Sequence, residues 1–151
     1  MAAGTTPIFT ITPDLGAGIW LPATTANTKS DGVGTIGTDL ILLYTSGTDG
    51  SFLNKIRFSP SASVASTATT ASVIRVFLST VTSGVTTNVN THLIAEIAAP
   101  TQTVDVATTA TNYLEVPLGF AVPTGYTVLF SMHHAAVANS SWKGVMFSGD
   151  Y

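Results

Sequence analysis

The sequence predicts an all-β protein: an antiparallel β-sandwich of the jelly-roll type, preceded by an extended N-terminal arm. Three observations carry this. Strand-length runs rich in Thr, Val, Ile and aromatic residues recur along the chain, each closed by Gly, Pro, Asn, Asp or Ser. The runs number about eight and their connections are unequal in length, which fits a two-sheet sandwich and no fixed-period repeat. The chain has 151 residues, enough for one domain burying roughly 68–70% of its unfolded surface. An immunoglobulin-like sandwich is the alternative; the absence of cysteine rules out its antibody-type disulfide.

The elements follow in order. Residues 7–12 form a first short strand candidate. Residues 13–37 hold five Gly and two Pro, yet also the apolar triplet Ile19-Trp20-Leu21. This stretch is too long and too aperiodic for a compact loop. It reads as an arm (residues 1–37, with a strand at 18–21) attached to a sandwich over 38–151, with Ile19, Trp20 and Leu21 as a partner-binding anchor. Residues 39–45 and 72–80 are strands; within them Asp39–Tyr44 and Val73–Leu78 are apolar on both faces, so each is central or covered from outside by another subunit. Thr48-Asp49-Gly50 predicts a hairpin with positive φ at Gly50. Residues 52–59 alternate, with Phe52, Ile56 and Phe58 on one face and Lys55 and Arg57 on the other. The Ala/Ser/Thr-rich stretches 61–71 and 101–111 read as exposed connections. Strands follow at 92–98, 113–118, 126–134 and 142–148, and Pro123 with Gly125 sets a tight turn.

Only 9% of residues are charged, against about 25% in a typical soluble domain. So weakly charged a surface suits burial against partner subunits, since few charges means little desolvation cost. The formal net charge of −3 and scattered basic residues argue against nucleic-acid binding. No apolar run reaches the ~18 residues of a membrane span. Residues 1–7 lack a basic segment followed by an apolar core, so no signal peptide is expected and synthesis in a cytoplasm is.

No constellation predicts chemistry. Gly32, Gly34 and Gly37 spell G-x-G-x-x-G, but a strand follows them where a dinucleotide site needs a helix, so they read as a glycine-rich turn. His133 and His134 are neighbours on a strand and point to opposite faces; with His92 they read as ordinary strand-end histidines, and no metal is expected. There is no G-x-S-x-G elbow and no thiol nucleophile. Glu96 and Glu115 lie in strands and predict cross-strand ion pairs with Arg75 or Lys143. Trp20, Tyr44, Tyr113, Tyr126 and Trp142 could stack on a glycan, with core or interface packing as the default. Asn139-Ser140-Ser141 is a formal glycosylation sequon, relevant only to a secreted eukaryotic protein. Catalytic, cofactor and metal sites are expected to be absent, and the protein is expected not to be an enzyme.

The second half of the chain carries a pattern made of Val76-Phe77-Leu78, then Asn90-Thr91-His92-Leu93-Ile94-Ala95-Glu96-Ile97 with Pro100. Tyr113-Leu114-Glu115-Val116-Pro117-Leu118, Val122-Pro123-Thr124-Gly125-Tyr126 and the closing Gly149-Asp150-Tyr151 complete it. It resembles small jelly-roll virion proteins of tailed bacteriophages, the type that decorates or cements the capsid. The resemblance covers about half of the chain, and the N-terminal third has no counterpart in it. It implies a structural, non-enzymatic protein on the capsid surface, made in the host cytoplasm, binding the major capsid protein and forming a homotrimer. A head-fibre or receptor- and carbohydrate-binding sandwich module is the alternative.

Overall fold

The structure is a computed structural model, and it describes residues 10–104 and 110–151. Residues 7–9 of the strand expected at 7–12, and Asp105, lie outside the described residues. The strands are β1 (Thr12–Trp20), β2 (Gly34–Thr35), β3 (Ile41–Thr45), β4 (Ser51–Ala62), β5 (Thr67–Ala68) and β6 (Ser72–Ser79). After them come β7 (Val85–Thr86), β8 (Thr91–Ala99), β9 (Thr103–Val104), β10 (Leu114–Val122), β11 (Thr127–Met132) and β12 (Ser140–Asp150).

Eight long strands make two four-stranded antiparallel sheets, ordered β1-β12-β4-β10 and β3-β11-β6-β8. Counting only these eight, the first pairs with the last, the second with the seventh, the third with the sixth and the fourth with the fifth. This nested order is jelly-roll connectivity. Turn chemistry follows from it. Gly50 takes φ +89° as expected, but its turn is not a hairpin: β3 and β4 belong to different sheets, so the turn carries the chain across the sandwich. The turn at Gly125, φ +84°, crosses in the same way from β10 to β11. The connections at 61–71 and 101–111 meet in the short β5–β9 ladder, Thr67↔Val104 and Ala68↔Thr103.

The core lies between the sheets. Phe58 from one sheet packs on Phe130 from the other at 5.2 Å between ring centroids, and Trp20 packs on Phe130 at 6.2 Å. Leu53, Ile56, Ile74, Val76, Trp142 and Met146 fill the remainder. Each comes from the inward-facing positions of its strand. The alternation in β4 breaks once. Asn54 is skipped in the pairing with β12, where Phe147 opposes Lys55 and Ser148 opposes Leu53. This bulge turns Leu53 inward with Ile56 and Phe58, and puts Phe52 on the opposite side from its expected partners. A second irregularity, between Pro117 and Phe120 with Gly119 at φ +73°, lets β10 run on past the expected stop at Leu118.

The N-terminal stretch departs most from expectation. Residues 12–20 are not an arm: they form the first long strand, paired along its whole length with β12. Trp20 is fully buried in the chain's own core. Gly16 and Gly18 face inward beside it, where β1 lies directly against β3. A Cβ on Gly16 would lie 2.0 Å from the Leu43 carbonyl oxygen. The glycines that suggest mobility in the sequence serve instead for close approach of two backbones.

The two doubly apolar strands are also explained within the chain. β6 is central, as its pattern suggests, while β3 is an edge. The outer sides of both, with that of β11, are covered by the segment 21–40. Leu40, Phe77 and Leu129 are fully buried together there, with Ile36 and Leu42 against them. Asn27 N–H donates to the Met132 carbonyl at 3.0 Å, and Arg75 Nη1 donates to the Asn27 carbonyl at 3.3 Å. The fully buried Thr86 hydroxyl accepts from Gly34 N–H at 3.0 Å and lies 2.6 Å from the Gly32 carbonyl oxygen. No second subunit is required to cover these strands.

Candidate partner-binding face

The two sheets differ in their outer surfaces. One is covered by the segment 21–40; among the described residues no segment covers the other, β1-β12-β4-β10. Register fixes what stands side by side on it. One row runs Ile19, Lys143, Ser59; the next Ala17, Val145, Arg57, Glu115; the next Leu15, Phe147, Lys55, Pro117. The β1 and β12 side is therefore mainly apolar, and the β4 and β10 side charged. Leu15 is 65% exposed and Ile19 44%.

The charged side is organised around one carboxylate oxygen. Glu115 Oε1 accepts from Lys55 Nζ at 2.9 Å, Arg57 Nε at 3.1 Å and Arg57 Nη2 at 2.8 Å. Arg57 first, and Lys55 second, hold the Glu115 carboxyl below the usual carboxylate range. The pairs are exposed and contribute little to stability. They do fix where the guanidinium sits. Its carbon lies 4.1 Å from the centroid of the Tyr113 ring and 5.7 Å from that of Phe147. Lys143 is exposed and has no ion-pair partner among the described residues. At one end the face opens into a shallow cleft of about 270 Å³. Ile19, Leu21 and Pro22 supply its apolar wall; Ser61, Asn139 and Lys143 are among its polar residues.

The expected anchor Ile19-Trp20-Leu21 is divided by strand alternation. Ile19 and Leu21 are exposed and line the cleft; Trp20 is inside the sandwich and cannot touch a partner. Leu15, Val145 and Phe147 are not singled out by the sequence; Tyr113 is, among the aromatic residues considered for glycan stacking. The signal was present for Leu15, which alternates with Gly16 and Gly18, and for the outward Lys55 and Arg57. It was absent for Val145 and Phe147, whose environment depends on which strands lie beside β12.

Elsewhere the expected residues separate. Arg75 Nε pairs with Glu96 at 2.7 Å, as the cross-strand reading has it, whereas Glu115 takes Lys55 and Arg57 and not Arg75 or Lys143. His133 and His134 do not point to opposite faces. They follow the end of β11 in a bend, where their rings meet edge to face at 4.9 Å, and His134 Nδ1 lies 2.9 Å from the Ala71 carbonyl oxygen. Among the described residues no group of three or more His, Asp or Glu is placed to hold a metal ion. The glycine motif sits in the covering segment, with Gly34 in β2 paired to Thr86 of β7, and serves its attachment. Of the five aromatic residues considered for stacking, Trp20, Trp142 and Tyr44 are buried and Tyr126 packs on the core. Tyr113 is 55% exposed, with one ring face under Arg57.

A last polar cluster joins the end of the chain to the sandwich. Asp150 Oδ1 accepts from the Tyr44 and Ser51 hydroxyls, each at 2.6 Å, while Ser51 Oγ also accepts from Gly47 N–H at 2.9 Å. The Ser51 and Tyr44 bonds hold the Asp150 carboxyl low, and burial followed by Asp150 raises the Tyr44 phenol. This ties the β3–β4 turn to β12 and has the marks of a structural lock.

No family model matches the chain, and no curated protein matches it. Among solved structures it is similar to a chain of the crystal structure of the T13 IBDV viral particle, at 12% identity and TM-score 0.34. That match covers all of this chain and 35% of the other, so this chain spans about a third of the length of its structural neighbour.

Proposed function

We propose that the protein is a structural, non-enzymatic component of a bacteriophage virion that decorates and cements the capsid by binding the major capsid protein. The observation that carries this is the asymmetry of the sandwich. One sheet is covered by the chain itself, and the other presents Leu15, Ile19, Val145 and Phe147 beside a set of positioned cations. A sheet face of this make-up, uncovered among the described residues, is what a docking protein needs: apolar area at the centre and Arg with aromatic residues next to it. The resemblance of the second half to virion decoration proteins and the scarcity of charge support the same reading. Association as a homotrimer, located on the capsid surface, belongs to this proposal. It no longer draws on the doubly apolar strands, which the segment 21–40 covers.

The test is co-sedimentation of the purified protein with shells of the major capsid protein, and light scattering of the protein alone. Saturable binding to shells, with a solution mass three times 15.5 kDa, is expected. Absence of binding to shells refutes the docking role, and a monomer that binds shells refutes the trimer alone.

A further inference from the structure

We infer that the open face of β1-β12-β4-β10 recognises a protein surface that presents carboxylates beside apolar side chains, with Arg57 as the anchor and Lys143 as a second contact. This rests on the docking reading and adds the chemistry of the partner.

Charge is the first argument. Lys55, Arg57 and Lys143 are three of only five Lys and Arg residues in the sequence. With the single carboxylate Glu115 they give the face a formal +2 in a chain of net −3, so the rest of the molecule carries −5. In a chain with so few charges, this concentration on one face selects for acid.

Preparation of the guanidinium is the second. Tyr113 stacks on Arg57, and Glu115 engages Nε and Nη2, which leaves donors at Nη1 uncommitted to that carboxylate. An Arg already held in place loses less freedom on binding, and planar forks favour carboxylates. Arg and Tyr are also among the residues that most often dominate binding energy. The apolar strip is the third argument. When Leu15 and Phe147 are covered, water leaves and each charge pair beside them strengthens.

The same features exclude other occupants. A second copy docking by a two-fold axis would set +2 against +2. A nucleic acid would gain from the cations, but its phosphates find no match in the apolar half.

The experiment combines two readouts on shells of the major capsid protein loaded with this protein. Hydroxyl-radical footprinting reads whether the face is covered; binding curves read its chemistry. Protection of Leu15, Tyr113 and Phe147 is expected. Arg57→Ala and Lys143→Glu are each expected to weaken binding at least tenfold, with affinity falling as salt rises from about 50 to 300 mM. Lys143 pairs with no acid among the described residues, so Lys143→Glu is expected to melt as the wild type does and separates binding from folding. Protection with undiminished binding of both variants would leave docking intact and overturn the carboxylate inference. No protection would overturn docking through this face. A 20-base-pair duplex that competes equally with shells, or self-association lost in both variants, would also overturn it.

Discussion

Replacing Gly16 by Ala tests directly whether the N-terminal stretch is a strand of the sandwich or a free arm. The two alternatives predict opposite signs. In a free arm, Gly→Ala reduces the entropy of the unfolded chain and is neutral or stabilising by about 0.4–1 kcal/mol. The φ of Gly16 is not positive, so its backbone would accept Ala. In the sandwich, the new Cβ would lie 2.0 Å from Leu43 O, and 3.0 Å from both Leu43 C and Tyr44 Cβ. Unstrained contacts between carbon atoms lie near 3.5–4.0 Å, so β1 and β3 would have to part by about 1 Å or more. Two of the three obstructing atoms belong to backbone, which cannot swing aside as a side chain does. Overpacking costs about 1–3 kcal/mol, and this site belongs at the top of that range. At about 2–4 °C per kcal/mol, a loss near 3 kcal/mol lowers Tm by about 6–12 °C. Urea unfolding followed by tryptophan fluorescence, with Trp20 and Trp142 as buried reporters, measures it. Gly18→Ala should cost less, because its nearest obstacles, Ile41 Cγ2 at 2.7 Å and Leu42 O at 2.9 Å, stand further off than Leu43 O does from Gly16. A Gly16→Ala midpoint equal to or above that of the wild type would refute the packing of β1 on β3.

Three further outcomes are expected. Trp20→Ala should destabilise the isolated protein by about 3–5 kcal/mol in the same assay, since the side chain is fully buried against Phe130; loss of capsid binding with unchanged stability would contradict this. Thr86→Val leaves Gly34 N–H and two carbonyls without their buried partner, which should cost about 1–3 kcal/mol. Hydrogen exchange should then rise across 24–40 more than in the two large sheets. The Asp150 carboxyl is held below its ordinary 3.8, so its contribution is present above the unfolded value and lost as pH falls through the folded one. The Tyr44 phenol is raised above 10.0, so its contribution is complete below that pH and lost as pH rises through the folded value. Asp150→Asn should therefore flatten the acid limb of a Tm–pH profile, and Tyr44→Phe the alkaline limb.

Much of the sandwich was legible because local alternation and turn residues determine it. The runs at 72–80 and 92–98 became Ser72–Ser79 and Thr91–Ala99 with one-residue adjustments. What could not be read locally was anything that depends on a distant neighbour. Gly16 and Gly18 have the same composition whether they serve mobility or close approach, and only the position of Leu43 decides between them. The outer apolar residues of β3 and β6 called for a cover, and nothing local shows that Ile36 and Leu40 supply it. For the docking face, Lys55 and Arg57 were legible as an outward pair. That Tyr113, Phe147 and Leu15 stand beside them was not, because these come from three other parts of the chain, joined by register alone.

The nested pairing also shapes how the protein comes into being. Thr12 opposes Asp150, and the same closing strand β12 lies between β1 and β4. On the ribosome, β1 must wait for β12 before its ladder exists, and β4 gains its first partner only with β10. Such separations slow folding, because loop closure is paid before any contact is gained. At about 5–20 residues per second, the tract between these strands leaves the ribosome over several seconds with its edges unpaired. With few charges to keep nascent chains apart, yield during a burst of synthesis should depend on chaperone supply and temperature more steeply than the stability of the finished sandwich suggests.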